Sequence, residues 1–413
     1  MESPRKRILV VSSNFSPEDS GIAVYSTDLA REVLSGDFDV TIITGLPHYP
    51  WWRVPAEYSH LTAGKKDIDG ITTIRVNHAV PSNPGAIGRA RLEFTFWQKG
   101  RSELFKFKKR EFDLVIGIVP TVASGLIARS ASRYFAIPGI IIFQDITSLG
   151  ALQSGIPGGH FLYKVVKYLE KRASKWATKV IVVSETMKAP VIKLTDSPEK
   201  VVLIHNYSVA KATATPKRLS RDDLKLPKDL FLIMHTGNIG YKQDLLNVVE
   251  AAKLLENHSE IKFMIFGHGN QEEVIGMSIL DRTNIELRPF VDASEYSSLL
   301  AASDLLLVNE RSSLREMSLP SKLTSYLISG KPVLAAVSSE SATSRFLGDA
   351  ALLVPPGNPQ ALADGILMLK NDLLLREELA ERGKKFADDH LSADSGRSKY
   401  LGVVRELLVT NQR

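Results

Sequence analysis

Cysteine is missing from all 413 residues, which excludes disulfides, thiolate metal sites and a cysteine nucleophile. No apolar run approaches the roughly 18 residues that a membrane-spanning helix needs. The start, Arg5-Lys6-Arg7 followed by Ile8-Leu9-Val10-Val11, turns polar at Ser12-Ser13-Asn14, too soon for the apolar core of a secretion signal, so a cytoplasmic protein is expected. None of the nine histidines stands at metal-ligand spacing, no Gly-X-Ser-X-Gly elbow marks a hydrolase, and neither a Walker loop nor the three-glycine dinucleotide fingerprint occurs. Asp37-Phe38-Asp39 and Asp67-Ile68-Asp69 match a metal-binding Asp-X-Asp pattern, but they stand beside Gly36 and Gly70, where turn acids belong. No metal site is expected.

What is present is a globular composition, 44% hydrophobic and 24% charged, in a chain long enough for two domains. The net charge of +6 is unevenly placed: residues 1–206 hold 27 Lys+Arg against 19 Asp+Glu. The densest stretch, Lys99 to Arg110, carries six cations with Phe105 and Phe107 between them. A surface helix of this kind can lie on anionic lipid or be a solvated face whose two Phe pack inward; the membrane face is an expected partner through segment 99–110. No nucleic-acid-binding motif accompanies the charge.

Short apolar strands alternate with helical stretches through residues 7–204 and again from Phe231 to Val354, the pattern of doubly wound parallel sheets. The first half reads with a long helix through Lys109. Residues 208–228 read as an exposed linker, and a break at 392–396 precedes a last helix over 397–410. The expected division is 1–207, 208–390 and a terminal helix in 391–413 that packs back on the first domain. The fold class is α/β, with two Rossmann-like domains facing across a cleft.

Two loops suit a phosphate. Leu319 to Ala336 reads as a loop, a helix opening near Ser321, a Gly-Lys-Pro stop at 330–332 and a strand, with Lys322 one residue inside the helix. A helix start gathers unpaired N–H groups and the positive end of the dipole. The second loop, Gly237-Asn238-Ile239-Gly240-Tyr241-Lys242, follows a strand and places Lys242 before another helix. Gly267-His268-Gly269 is a third permissive turn, suited to lie against a nucleobase or simply to turn the chain.

These motifs, with Asn14-Phe15-Ser16-Pro17 through Gly21 and Tyr25, Gly45 to Trp52, Phe143-Gln144-Asp145-Ile146, Val183 to Met187, His205-Asn206-Tyr207, Pro289-Phe290-Val291 and Pro320-Ser321-Lys322-Leu323, resemble over nearly the whole chain a retaining glycosyltransferase of the GT-B fold. The family is the large one of exopolysaccharide and lipopolysaccharide transferases, and the likeness is greatest to its colanic-acid-type branch. The resemblance implies a nucleoside-diphosphate sugar held by the C-terminal domain, a saccharide or lipid-linked acceptor on the N-terminal domain, and no cofactor or metal. It implies donor contacts from Gly21, Gly237, Asn238, Lys242, Gly267, Ser321, Lys322, Leu323 and Ser325, with Lys242, Lys322 and Asp145 in catalytic roles and Asp145 or His48 orienting the acceptor hydroxyl. The leaving phosphate would itself deprotonate the acceptor on the same face. Two features depart from the family, at three positions. Its paired Glu are Met317 and Ser325 here, with Glu316 beside the first, and its Arg after the phosphate-loop glycine is Asn238. Ribose recognition then falls to Ser325, Glu316, Glu310 or Arg311. A non-catalytic nucleotide-sugar-binding or assembly protein of the same fold is the alternative.

Overall fold

Buried on both faces by helices, a parallel strand has no solvent side, which is why the apolar runs of this chain are continuous rather than alternating. In the computed structural model, which describes residues 5–18, 21–49, 51–82, 85–149, 159–207, 218–292, 294–312 and 321–410, they form two sheets. The first half runs β1 (Arg7–Val11), α1 (Ile22–Ser35), β2 (Asp39–Gly45), β3 (Gly64–Ile68), β4 (Ile71–Val76), α2 (Ala86–Leu104), β5 (Leu114–Val119), α3 (Val122–Phe135), β6 (Gly139–Phe143), α4 (Gly159–Ser174), β7 (Lys179–Val182), α5 (Glu185–Thr195) and β8 (Val201–Leu203). The second runs β9 (Phe231–Thr236), α6 (Leu245–Leu254), β10 (Ile261–Phe266), α7 (Glu272–Ser278), β11 (Ile285–Arg288), α8 (Tyr296–Ala301), β12 (Leu305–Asn309), α9 (Ser321–Ile328), β13 (Val333–Ala336), α10 (Ala342–Leu347), β14 (Leu352–Val354), α11 (Pro359–Asn371), α12 (Leu373–His390) and α13 (Ala393–Thr410).

Contacts divide the chain into two units, residues 1–209 with 396–413, and residues 210–395. In the first, eight strands lie in the order β3-β4-β2-β1-β5-β6-β7-β8, parallel except for the β3–β4 hairpin, with Val10 between Ile42 and Ile116. In the second, six strands lie in the order β11-β10-β9-β12-β13-β14, and every pair is parallel. Its two faces bury separate cores, one around Ile233, Val249 and Ile366 and the other around Met234, Tyr326 and Leu327. In each sheet the strand order reverses once, between β1 and β5 and between β9 and β12, and the carboxyl ends at such a reversal leave a crevice for a ligand.

Several boundaries differ from the sequence reading. The long basic helix stops at Leu104, because Phe107 turns in to pack on Phe112 at 5.0 Å and Arg110 takes φ 66°, off the helical path. The described part of the expected linker, residues 218–228, is packed: Leu226 is buried, and Arg221 donates to the carbonyls of Ala302 and Leu230 and to Asp304 at 2.8 Å. The last helix begins at Ala393 instead of after Gly396. Its Arg397 donates to Asp28, which also accepts from the Tyr207 hydroxyl at 2.7 Å. The short helices α7, α8 and α10 went unassigned in the sequence. The two Asp-X-Asp stretches are turn acids here: Asp67 accepts from Gly70 N–H at 3.0 Å, Asp69 pairs with Arg31 at 2.7 Å, and Asp37 pairs with Arg5 at 3.4 Å.

Candidate functional site at the strand ends

The reversal between β9 and β12 organises the second unit's site. At the end of β9 the Thr236 N–H donates to the Tyr326 hydroxyl at 2.7 Å, and Thr236 Oγ1 lies 2.9 Å from the hydroxyl of Tyr296. Beyond it the pairing with β10 continues through the loops: Gly237 N–H donates to Phe266 O, and Ile239 N–H to His268 O, each at 2.9 Å. Such close backbone approach needs glycine. A methyl group on Gly267 would stand 1.8 Å from the Gly237 carbonyl oxygen, and one on Gly269 2.3 Å from that of Ile239.

Lys322, on the first turn of α9, lies against this backbone. A methyl group on Gly237 (φ 126°) would come within 3.2 Å of its Cε and 3.3 Å of its Nζ, and Nζ is 3.1 Å from His235 Nε2. Withdrawal from water lowers the lysine to about 8 against the pull of Glu310. Burial, then the lysine's charge, holds His235 far below the usual imidazole range, so the ring is neutral. Lys242 is exposed on a single 3-10 turn, Tyr241–Gln243, ahead of Asp244 at φ 44° and the start of α6. Arg311, just past β12, fixes that turn. Its guanidinium lies 3.5 Å from the Tyr241 ring centroid, its Nε donates to Tyr241 O at 3.2 Å, and its backbone N–H donates to Lys242 O at 2.9 Å.

Gly237, Gly267 and Lys322 therefore converge, with the Lys242 turn following in the same loop as Gly237 and the exposed Asn238. The Leu323 side chain does not join them: it is fully buried in the core with Tyr326 and Leu327, because the face of α9 one step round from Lys322 packs on the sheet. Ser325 is spoken for by the Tyr296 hydroxyl, and Glu310 accepts from Thr343 Oγ1 at 2.6 Å. Of the other positions raised for the ribose, Arg311 braces the turn and Glu316 lies outside the described residues, as do Met317, Leu319, Pro320 and the Ser321 side chain. His235 escaped the sequence reading. Its signal was one ionisable residue near the end of the otherwise apolar strand Phe231-Leu232-Ile233-Met234.

In the first unit, Ser13 Oγ and Thr121 Oγ1 meet at 2.6 Å across the reversal between β1 and β5. Gly21 takes φ 58°, and a methyl group there would lie 2.8 Å from the Tyr49 ring. Asp145 is exposed just past β6 and accepts from the N–H of Ile146 at 2.7 Å. His48, read as a partner for the acceptor, is instead buried with its ring 4.9 Å from that of His78, because its backbone is pulled inward by Glu18 at 2.6 Å. Nearby, Glu93 accepts from Val122 N–H and Ala123 N–H at the start of α3, at 3.2 and 2.8 Å. Burial nevertheless raises it to about 7, and the Glu170 carboxylate adds to the rise.

Both halves match known sequences. Residues 216–386 match the family described as Glycosyl transferases group 1, and residues 20–207 match the Glycosyl transferase 4-like domain. The chain is 28% identical over 396 residues to Escherichia coli (strain K12) WcaI, which is named as a colanic acid biosynthesis glycosyl transferase, covering 91% of this chain and 96% of that one. Among solved structures, sucrose-phosphate synthase from Thermosynechococcus elongatus superposes with a TM-score of 0.70 at 16% identity, over 98% of this chain and 100% of that one. Anabaena HepE in complex with UDP superposes at 0.65 with 16% identity, over 97% and 100% of the two chains, and the same protein has been solved in complex with UDP-glucose. Likeness over nearly the full chain to such structures is the GT-B fold, and the two family matches fall one on each unit in the order the fold requires. The chain belongs to the group 1 glycosyltransferases.

Proposed function

We propose that this chain transfers a sugar, with retention at its anomeric carbon, from a nucleoside-diphosphate sugar to a saccharide or lipid-linked acceptor in cell-surface polysaccharide synthesis. The observation that carries the reading is the convergence of Gly237, Gly267 and Lys322 at the β9–β12 reversal, where loop backbone and a cation meet at one strand end. That is a receptor for a diphosphate. HepE, of the same fold, binds UDP and UDP-glucose, so a uridine diphosphate sugar is the first donor to try.

In the reaction the bond from the anomeric carbon to the diphosphate oxygen breaks, and its electron pair leaves with the diphosphate. A new bond forms to the acceptor oxygen, whose proton passes to the departing phosphate. Lys322 and Lys242 stabilise the charge that accumulates on that leaving group. Asp145, exposed past β6, is the candidate to orient the acceptor hydroxyl. Release of UDP from UDP-glucose by the purified chain, without acceptor, would decide for an enzyme over a binding protein. Tight UDP-glucose binding with no release under any condition, lipid-linked acceptor included, would decide the other way.

A lipid-linked acceptor also needs a membrane surface. None of the described helices is long and apolar enough to cross a bilayer. The exposed side of α2 carries Ile87, Phe94 and, just past its end, Phe105, at 87%, 59% and 50% exposure, among Arg91, Lys99 and Arg101. This face, rather than a helix over 99–110, is the one that would lie on anionic lipid. Loss of vesicle binding in a Phe94→Ser, Arg101→Ser variant is the expected result, and unchanged binding counts against it.

A further inference from the structure

His235 and Lys322 form a pair with a fixed direction. His235 Nδ1 is 3.2 Å from the carbonyl oxygen of Leu307, and a ring nitrogen facing a carbonyl must carry the hydrogen. With Nδ1 donating to Leu307, Nε2 presents its lone pair to Lys322 Nζ, 3.1 Å away, which has only hydrogens to give; the Asn238 backbone adds a second, lesser hydrogen bond to the ring. Ammonium donates and imidazole accepts. The ring is buried at 1% exposure, so it cannot turn without losing Leu307. On its other side the lysine runs along Gly237, which has no side chain to push it away.

Among the described residues, Glu310 is the one charge that favours the ammonium of this lysine. From β9 it faces a neutral imidazole, and from the end of β12 it feels Glu310, one of whose oxygens is already taken by Thr343. Among the described residues, Tyr296 and Tyr326 at this strand end are kept neutral by burial, while farther along the loops Lys242 is exposed and Arg311 pairs with Asp244 at 3.4 Å. With so little compensation the ammonium is held weakly, and half of it is lost near pH 8. A diphosphate placed beside Gly237 would supply the missing negative charge.

We propose that His235 is a positioning residue that presents Lys322 to the donor's diphosphate, and that donor binding draws a proton from solvent onto Lys322 in mildly alkaline solution. This rests on the donor site proposed above. It adds to that site a residue, His235, and a proton coupled to binding.

The test is calorimetric titration of UDP into the full chain at pH 7, 8 and 9, each in two buffers of different ionisation enthalpy. At pH 8 the terminal phosphate, with its second pKa near 6, is ionised and the uracil ring keeps its proton, so uptake there reports the protein, and at pH 7 and 9 the part that Lys322→Arg abolishes does. The expected uptake from the protein is small at pH 7 and grows to most of one proton by pH 9, with affinity falling toward tenfold per pH unit in the alkaline range. UDP that binds at pH 9 with no proton uptake overturns the proposal. Silence from UDP, GDP, ADP and dTDP at every pH overturns the donor reading and this one with it. Lys322→Arg, always charged, should abolish the uptake where it still binds. His235→Gln, whose amide oxygen can accept from the lysine, should keep the pH profile, whereas His235→Leu should move the fall in affinity to lower pH, thermal melting serving as the check on folding. A His235→Leu variant weakened by the same factor at pH 6.5 and pH 9 would show a structural role only and overturn the positioning role.

Discussion

Glu18 and His48 are joined by a 2.6 Å hydrogen bond from the His48 backbone N–H to Glu18 Oε1, and the same oxygen takes the Tyr49 N–H at 2.8 Å. Asn14 Nδ2 adds contacts of 3.1 and 3.0 Å to the two oxygens, and the Arg75 guanidinium, itself buried, is close enough for Glu18 to favour its charge. One buried carboxylate thus ties the loop after β1 to the loop after β2 at the carboxyl ends of the strands. Replacing Glu18 by Ala leaves the His48 and Tyr49 N–H groups and the Asn14 amide without their acceptor and removes the countercharge of Arg75, and the expected loss is about 3–5 kcal/mol. Urea denaturation checks it: a loss below about 1 kcal/mol would mean that water replaces the carboxylate freely.

Two groups of this unit titrate abnormally and in opposite senses. Burial, aided by His48, drops His78 to about 4, so between pH 6.5 and 4 the unfolded chain takes up a proton that the folded chain refuses. Its stabilising contribution is complete above pH 6.5 and is lost as pH falls. Glu93, raised to about 7, keeps its proton when folded but not when unfolded, so it removes stability as pH rises from 4.5 to 7. Over pH 4.5–6.5 the two slopes nearly cancel, each being about 2 kcal/mol. Measured against wild type, His78→Phe should become less stable with rising pH and Glu93→Gln more stable. Parallel pH profiles for the three proteins would show that neither group is shifted.

The turn that carries Lys242 gives a separable pair of kinetic effects. Lys242→Ala removes a charge-assisted contact worth about 1.5–3 kcal/mol, hence roughly ten- to a hundredfold in kcat/KM if it acts on the leaving diphosphate. Arg311→Ala leaves that lysine in place but removes the stack on Tyr241 and the 3.4 Å pair with Asp244, so it should cost less, about threefold to tenfold, by loosening the turn. With both residues changed, the effects should be less than additive, because one acts through the other. Full additivity in steady-state rates would separate Arg311 from Lys242.

Much of this architecture was legible because buried parallel strands announce themselves: Leu305-Leu306-Leu307-Val308 and Gly139-Ile140-Ile141-Ile142-Phe143 admit no other placement once helices flank them. Gly237, Gly267 and Lys322 were legible as candidates for one strand end, since glycines let loop backbones approach closely and a lysine at a helix start adds charge there. Failures came where one tertiary contact decides the outcome. Nothing local ends α2 at Leu104; Phe107 turning onto Phe112 does. Arg221 looked like a linker residue because its partners, Ala302 and Asp304, are some eighty residues away. Leu323 was read with its neighbour Lys322, yet adjacent helix positions point about 100° apart, and one enters the core while the other meets the loop.

Gly267 offers the most direct test of the strand-end geometry. A methyl group there would lie 1.8 Å from the Gly237 carbonyl oxygen and 3.0 Å from its carbonyl carbon, and both neighbours are backbone, so no side-chain rotation relieves the clash. The loops after β9 and β10 must part, breaking the Gly237 N–H to Phe266 O bond and pulling Gly237 away from Lys322. Gly267→Ala should therefore cost about 1–3 kcal/mol or more in stability and weaken UDP binding by a larger factor than Lys242→Ala. Gly276, inside α7 with nothing within 4 Å of the added methyl, is the matched control, and Ala there should stabilise by about 0.5–1 kcal/mol without changing UDP affinity. If Gly267→Ala melts like wild type and binds UDP as well, the two loops do not pack as described, and the diphosphate site cannot be where Gly237 and Lys322 meet.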